Sequence, residues 1–171
     1  LDGTGKNDID TGVGFFDHML TAFAAHAGYG LLVTCKGDTE VDCHHTVEDI
    51  GIVLGQALYE CLGDKSNLVR YGSFFVPMDE ALGFCAVDIC NRAYTVFEAD
   101  FPQEKCGDFD ACMCVEFFRA VADNAKITLH LRAPYGDNSH HIAEAIFKAF
   151  GHAMSIAKEK TDKTLSTKGT L

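Results

Sequence analysis

A five-residue histidine pattern that occurs twice constrains this chain more than any other feature. His44-His45-Thr46-Val47-Glu48 returns as His140-His141-Ile142-Ala143-Glu144, 96 positions later, and four of the eight histidines belong to these two pairs. If each pentad opens a helix, its first His and its Glu stand at i and i+4 on one face. The second His then points about 100° away around the helix. One copy thus offers a nitrogen-and-oxygen chelate to one metal and a further imidazole to another. A lone His–His pair is an ordinary surface or cap feature, but a solvated helix face has no reason to repeat the same order. Two copies supply six ligands, which suits a pair of metal ions.

The rest of the chain is patterned around those helices. Phe15, Phe16, Met19, Leu20, Phe23 and Ala27 recur at helical spacing, so the region near 15–28 is predicted as an amphipathic helix stopped by Gly28 and Gly30. Leu31–Lys36 reads as a strand, and the first pentad helix continues through Ile50, Leu54 and Leu58 to Gly63. A strand meander is expected over 68–99, broken near Pro77 and Asn91, followed by a loop over Asp100–Phe109. Cys112–Ala125 is helical in pattern, Lys126–Arg132 alternates as a strand, and Gly136-Asp137-Asn138 turns into the second pentad. His18 precedes His44 by 26 residues and Glu116 precedes His140 by 24. The repeated order of helix, strand, turn and His-His helix suggests an internal duplication. The 171 residues suit one domain, 1–171, built of two similar halves of about 1–90 and 91–171. The expected class is α+β, a sheet-and-helix sandwich.

Charge and cysteine spacing remove other classes. A net charge of −11 argues against nucleic acid or an anionic membrane as partner, and no apolar run approaches a membrane span. The start, from Leu1 to Lys6, lacks a signal-peptide layout. The eight cysteines contain no C-x-x-C pair and read as small core residues of a cytoplasmic protein.

Several runs in the same order resemble the imidazoleglycerol-phosphate dehydratase family, from about residue 12 to the end. They are Gly14-Phe15-Phe16-Asp17-His18-Met19-Leu20, Gly37-Asp38, and Asp42-Cys43-His44-His45-Thr46-Val47-Glu48-Asp49. Pro77-Met78-Asp79-Glu80-Ala81-Leu82, Gly136-Asp137-Asn138-Ser139-His140-His141 with Glu144, Phe147-Lys148-Ala149 and Ser166-Thr167-Lys168-Gly169 continue the match. The resemblance implies duplicated βββαα half-domains like the second domain of ribosomal protein S5. It also implies a manganese-dependent hydro-lyase of histidine biosynthesis, converting imidazole glycerol phosphate to imidazole acetol phosphate. The family's subunits form trimers that assemble into a 24-subunit shell, with sites between subunits, so a homo-oligomer is expected.

The chemistry accounts for these residue types. The proton to be lost sits on a carbon without a neighbouring carbonyl, so the substrate ring must relay electrons as imidazolate. Two Mn2+ ions per site, one near each ring nitrogen, would stabilise that anion as Lewis acids. The family pattern assigns one metal to His44, Glu48, His141 and Glu116, and the other to His140, Glu144, His45 and His18. Glu48, Glu144, His45 and His141 carry the catalytic assignment. Many family members have His where Glu116 stands, and a carboxylate still suits manganese. The phosphate is expected to meet His26, Arg70, Arg92, Lys148, Ser166 and Lys168, since planar guanidinium groups can fork onto its oxygens. Cys90-Asn91-Arg92-Ala93 departs from the family's Ser-Gly-Arg-Pro, and Ala22 stands where many relatives carry Gln. The family's general base, a Glu in an N-terminal strand, is expected ahead of Leu1. Asp79 and Glu80 receive no role, and His130 is assigned a supporting one. Two rival readings use the same metal ligands: a two-metal hydrolase, and a non-catalytic metal-binding assembly module that would not need the cations.

Overall fold

The computed structural model describes residues 1–3 and 6–162. Ser166 and Lys168 lie outside the described residues. Twelve elements follow in chain order: β1 (Asn7–Asp10), α1 (Gly14–Ala27), β2 (Leu31–Thr34), α2 (His44–Leu62), β3 (Tyr71–Met78), β4 (Ala81–Asp88), β5 (Tyr94–Ala99), β6 (Lys105–Cys106), β7 (Phe109–Asp110), α3 (Met113–Ala125), β8 (Thr128–Tyr135) and α4 (Ser139–Ala157). The main sheet has the order β3-β4-β8-β5; β1 pairs with β2, and β6 with β7. The class is the expected α+β.

Helices α1 and α3 end in the same way because their last turns need the same backbone correction. Gly28 adopts a left-handed conformation with φ 67°, and the Tyr29 amide bonds back to the Ala24 carbonyl at 2.9 Å. Lys126, 98 positions after Gly28, takes φ 56°, and the Ile127 amide reaches Ala122 at 3.2 Å. Both are left-handed caps that satisfy otherwise unbonded carbonyls. The strand pairs agree too: β1 runs parallel to β2, and β5 parallel to β8. The duplicated order is therefore β1-α1-β2-α2 and β5-α3-β8-α4, with an inter-helix strand in each half.

Helices α1 and α4 cross at Gly151, where an added Cβ would lie 2.7 Å from the Phe23 carbonyl oxygen and 3.0 Å from His26 Cβ. Helices α2 and α3 cross at Gly55, where a Cβ would meet the Val121 carbonyl oxygen at 2.7 Å and Asn124 Cβ at 2.7 Å. Gly55 and Gly151 are 96 positions apart, as the pentads are, and Phe23 and Val121 are 98 apart. The helix pairs are thus superposable in residue correspondence as well as in order.

The core lies among the helices and on the α4 face of the sheet. Phe16, Phe23, Phe117, Phe118, Phe147 and Phe150 are fully buried, with rings such as Phe118–Phe147 and Phe23–Phe150 at 4.7 and 4.8 Å. Burying each such ring stabilises the fold by roughly 1.5–3 kcal/mol. Lys65 is also buried, and its Nζ donates to the Ala125 carbonyl at 3.1 Å and Asn91 Oδ1 at 2.6 Å, fastening the end of α3.

Three sequence expectations shift. Pro77 does not break the meander: it lies inside β3, an edge strand where a missing amide hydrogen is tolerated, and the turn falls at Asp79-Glu80. The expected loop over 100–109 contains β6 and leads, through a left-handed Gly107, into β7. The second alternating strand extends to Tyr135. All eight cysteines are free. No helix among the described residues is long and apolar enough to cross a membrane.

Candidate metal centre

Both pentads open their helices, and both are capped two residues ahead. The Asp42 carboxylate accepts the His44 amide at 2.7 Å, and Asn138 Oδ1 accepts the His140 amide at 2.9 Å. A side-chain oxygen at this position satisfies an amide that the first turn leaves unpaired. Asp42 and Asn138 are again 96 positions apart. The cap starts the helix at the pentad and so directs its first His and Glu to one side.

On α4 that side faces α1. His140 Nε2 stands 3.3 Å from Glu144 Oε2, and His18 Nε2 stands 3.5 Å from the same oxygen. These three residues form a group whose ligand atoms lie within 4.8 Å of one another, the only such group among the described residues. Neighbouring corners of an octahedron with bonds of about 2.1 Å are about 3 Å apart, so the arrangement admits a hard divalent ion with little movement. Glu144 is buried, and burial would push its carboxyl up. The Lys148 ammonium, 2.7 Å away, together with His18 and His140, holds it below its usual range. It is therefore a carboxylate ready to ligate. Phe15 packs edge-on to His140 at 5.0 Å. Beside it opens a cleft of about 350 Å³ lined by Phe15, Gln103, Lys105, Asp137, Asn138 and His140.

On α2 the equivalent face carries His44 and Glu48, 3.6 Å apart. Glu116 occupies on α3 the position that His18 holds on α1, 98 residues earlier, and its carboxylate is paired with Arg119 at 2.9 Å. Only a two-residue pair stands there, with Glu116 engaged by Arg119.

The second histidine of each pentad turns away, as helix geometry requires, and each is backed by a carboxylate. His45 Nδ1 lies 2.8 Å from Asp38, and His141 Nδ1 lies 2.7 Å from Glu80. Each carboxylate, as acceptor, places the ring proton on Nδ1, the arrangement that also stands behind a metal-bound histidine; His141 Nε2 is 3.8 Å from Asp79. The bonds to the carboxylates raise the pKa of both imidazoles, and the bonds from the imidazoles lower both carboxylates, Glu80 to about 2. The other Glu80 oxygen accepts the Asp137 and Asn138 amides at 3.2 and 3.0 Å, tying the β3–β4 turn to the start of α4. Asp38 and Glu80 join the candidate site here, and the sequence alone assigns neither a role. Their signal was the need of any ligating histidine for a carboxylate behind it.

The expected phosphate cations fall into two groups. Lys148 stands in the α1/α4 groove, one turn beyond Glu144, with His26 at the end of α1. Arg70 and Arg92 gather around Asp88: Arg70 Nε and Nη2 donate to its two oxygens at 2.6 and 3.1 Å, and Arg92 Nη2 is 3.8 Å away. His130 is exposed on β8.

Comparison with known proteins gives a consistent answer. A model of the imidazoleglycerol-phosphate dehydratase family matches residues 11–154. An imidazoleglycerol-phosphate dehydratase of Acetivibrio thermocellus is 57% identical over 174 aligned positions, covering 100% of this chain and 89% of that protein. One of Bacillus cereus is 56% identical, covering 100% and 90%. The crystal structure of imidazoleglycerol-phosphate dehydratase from Staphylococcus aureus matches with a TM-score of 0.88 at 48% identity, over 94% of this chain and 91% of that one. The Pyrococcus furiosus enzyme in complex with (S)-C348 matches with a TM-score of 0.84 at 36% identity, over 97% and 91%.

Proposed function

The chain belongs to the imidazoleglycerol-phosphate dehydratase family of hydro-lyases, and from that premise we propose that it dehydrates imidazole glycerol phosphate in histidine biosynthesis at a dinuclear manganese site. The observation that carries this reading is the preformed His18–His140–Glu144 group, with the matching His44–Glu48 pair on the other pentad helix.

The donor set fits manganese, which accepts both imidazole nitrogen and carboxylate oxygen. His18, His140 and Glu144 would hold one ion; His44, Glu48 and Glu116 would hold the other once Glu116 leaves Arg119. Bound there, the ions would supply Lewis acidity to the substrate's imidazole ring. The chain's own residues do the rest. Asp38 and Glu80 keep the protons of His45 and His141 on Nδ1 and so orient Nε2 outward. Glu144 is held as carboxylate by Lys148. Lys148 and His26 mark the α1/α4 groove as the path for the phosphate, with Arg70, Arg92, Ser166 and Lys168 as further contacts. Phe15 shields one side of His140.

His45 and His141 point away from the ligand pairs on their own helices, so they complete sites on other copies of the chain. This supports a homo-oligomer of trimers building a 24-subunit shell, and it makes metal binding and association linked equilibria. We place the enzyme in the cytoplasm, consistent with its free cysteines.

The test is to add imidazole glycerol phosphate to the manganese-loaded full-length protein, with the segment expected ahead of Leu1, and follow product. The keto product, formed without release of inorganic phosphate, is expected. Phosphate release would identify a two-metal hydrolase, and metal uptake without either product would identify the assembly module.

A further inference from the structure

One residue of the α1/α4 groove, His152, has no part in the metal and phosphate roles proposed for its neighbours. His140, Glu144, Lys148 and His152 follow one another at i, i+4 spacing along α4, and His152 ends the row. Its ring meets that of His26 edge to face, with centroids 4.9 Å apart and an interplanar angle of 79°. Its other side stacks on Phe74 of β3 at 4.2 Å and 26°. His152 is thus held between a strand residue and the last turn of α1.

His26 has a fixed polarity. Its Nδ1 lies 2.8 Å from the Ala22 carbonyl, an acceptor only, so Nδ1 carries a proton and Nε2 is the nitrogen left for a ligand. To bind a phosphate oxygen, Nε2 must donate, which requires the imidazolium form. A second cation there would oppose it, and burial together with His26 lowers the pKa of His152.

The other half of the molecule supplies a control. The residues equivalent to His26 and His152 are Asn124 and Gln56, whose amides meet at 3.5 Å, and Lys148 is matched by Ile52. The pair is thus conserved as a contact but is aromatic only in the groove that also carries a lysine.

We propose that His152 is a positioning residue for substrate binding: clamped by Phe74, it holds the His26 ring in the orientation that presents Nε2 to a phosphate oxygen. This rests on the reading that the α1/α4 groove takes the substrate's phosphate. His152 contacts His26 and acts through it.

The experiment uses the manganese-loaded full chain and compares wild type with His152→Ala, His152→Phe and His26→Ala. Inorganic phosphate is the binding probe, and imidazole glycerol phosphate is the substrate for KM and kcat. His152→Ala is expected to raise the phosphate Kd and the substrate KM about tenfold, the scale of one hydrogen bond to a charged group. The loss falls on KM rather than kcat, and His152→Phe, which keeps a flat ring on Phe74, should restore most of it. His26→Ala should weaken phosphate at least as much as His152→Ala. If His26→Ala leaves phosphate binding unchanged, the phosphate reading of the groove fails and the role of His152 falls with it. If His26→Ala weakens phosphate but the two His152 variants behave alike, only the positioning role is overturned.

Discussion

The α1/α4 groove and the α2/α3 groove are built on one plan and furnished differently. Each has a parallel helix crossing at a glycine, a left-handed cap on its shorter helix, a capped pentad, and a His–Glu pair at i, i+4. The differences that matter to the grooves are His18 against Glu116, His26 against Asn124, Lys148 against Ile52, and His152 against Gln56. What both halves retain is a His–Glu pair at the start of the pentad helix; what one half adds is the row of Lys148, His152 and His26. On the proposed function, the repeated plan would supply two similar metal positions for a nearly symmetric imidazole ring, and the unsymmetric tail of the substrate would be met by unsymmetric side chains.

The largest expected effects fall on what the halves share. His44→Ala and His140→Ala should each reduce turnover of the full-length enzyme more than the roughly 10–100-fold typical of losing an outer partner. The double variant should be scarcely worse than either alone, because the ligands act as a unit. Steady-state rates at saturating manganese give the comparison, and additive losses would mean two independent sites. Next come the carboxylates behind the second histidines. Asp38→Asn and Glu80→Gln should each weaken manganese binding by about 10–100-fold, measured by titration calorimetry. A loss confined to Glu80→Gln would show that it staples the Asp137–Asn138 turn instead of orienting a ligand.

Much of this plan was legible in the sequence. The pentads, the 26- and 24-residue intervals to His18 and Glu116, and the apolar spacing of α1 and α3 are local patterns, and helices are encoded locally. The caps at Asp42 and Asn138 fall on the polar turns expected ahead of each pentad. What escaped depends on contacts between distant segments. Glu80 reaches His141 only because the β3–β4 turn folds over the start of α4, 61 residues along the chain. Arg70 is expected at the phosphate from the family resemblance, but its pairing with Asp88 is visible only once the β3–β4 register sets Tyr71 opposite Asp88. His152 looks like one more exposed helix residue until Phe74 is seen stacked on it.

Two smaller effects sharpen the difference between grooves. Lys148→Ile, which copies the other half, should raise KM about tenfold through loss of a charge-assisted hydrogen bond while an azole without phosphate binds as before. Equal losses for both ligands would assign Lys148 to Glu144 alone. Gln56→Ala, in the half without phosphate-handling groups, should change stability by no more than about 0.5 kcal/mol in thermal unfolding and leave KM unaltered. A rise in KM there would contradict the division of labour between the grooves.

The central claim is that two pentads hold two metals, and counting them tests it most directly. Manganese titrated into the metal-free full-length protein, with free and bound ion separated by electron paramagnetic resonance, should saturate at two ions per chain. His44→Ala and His140→Ala should each retain one strongly bound ion. Saturation at one ion per chain in the wild type, or retention of both at full strength in either variant, would contradict it.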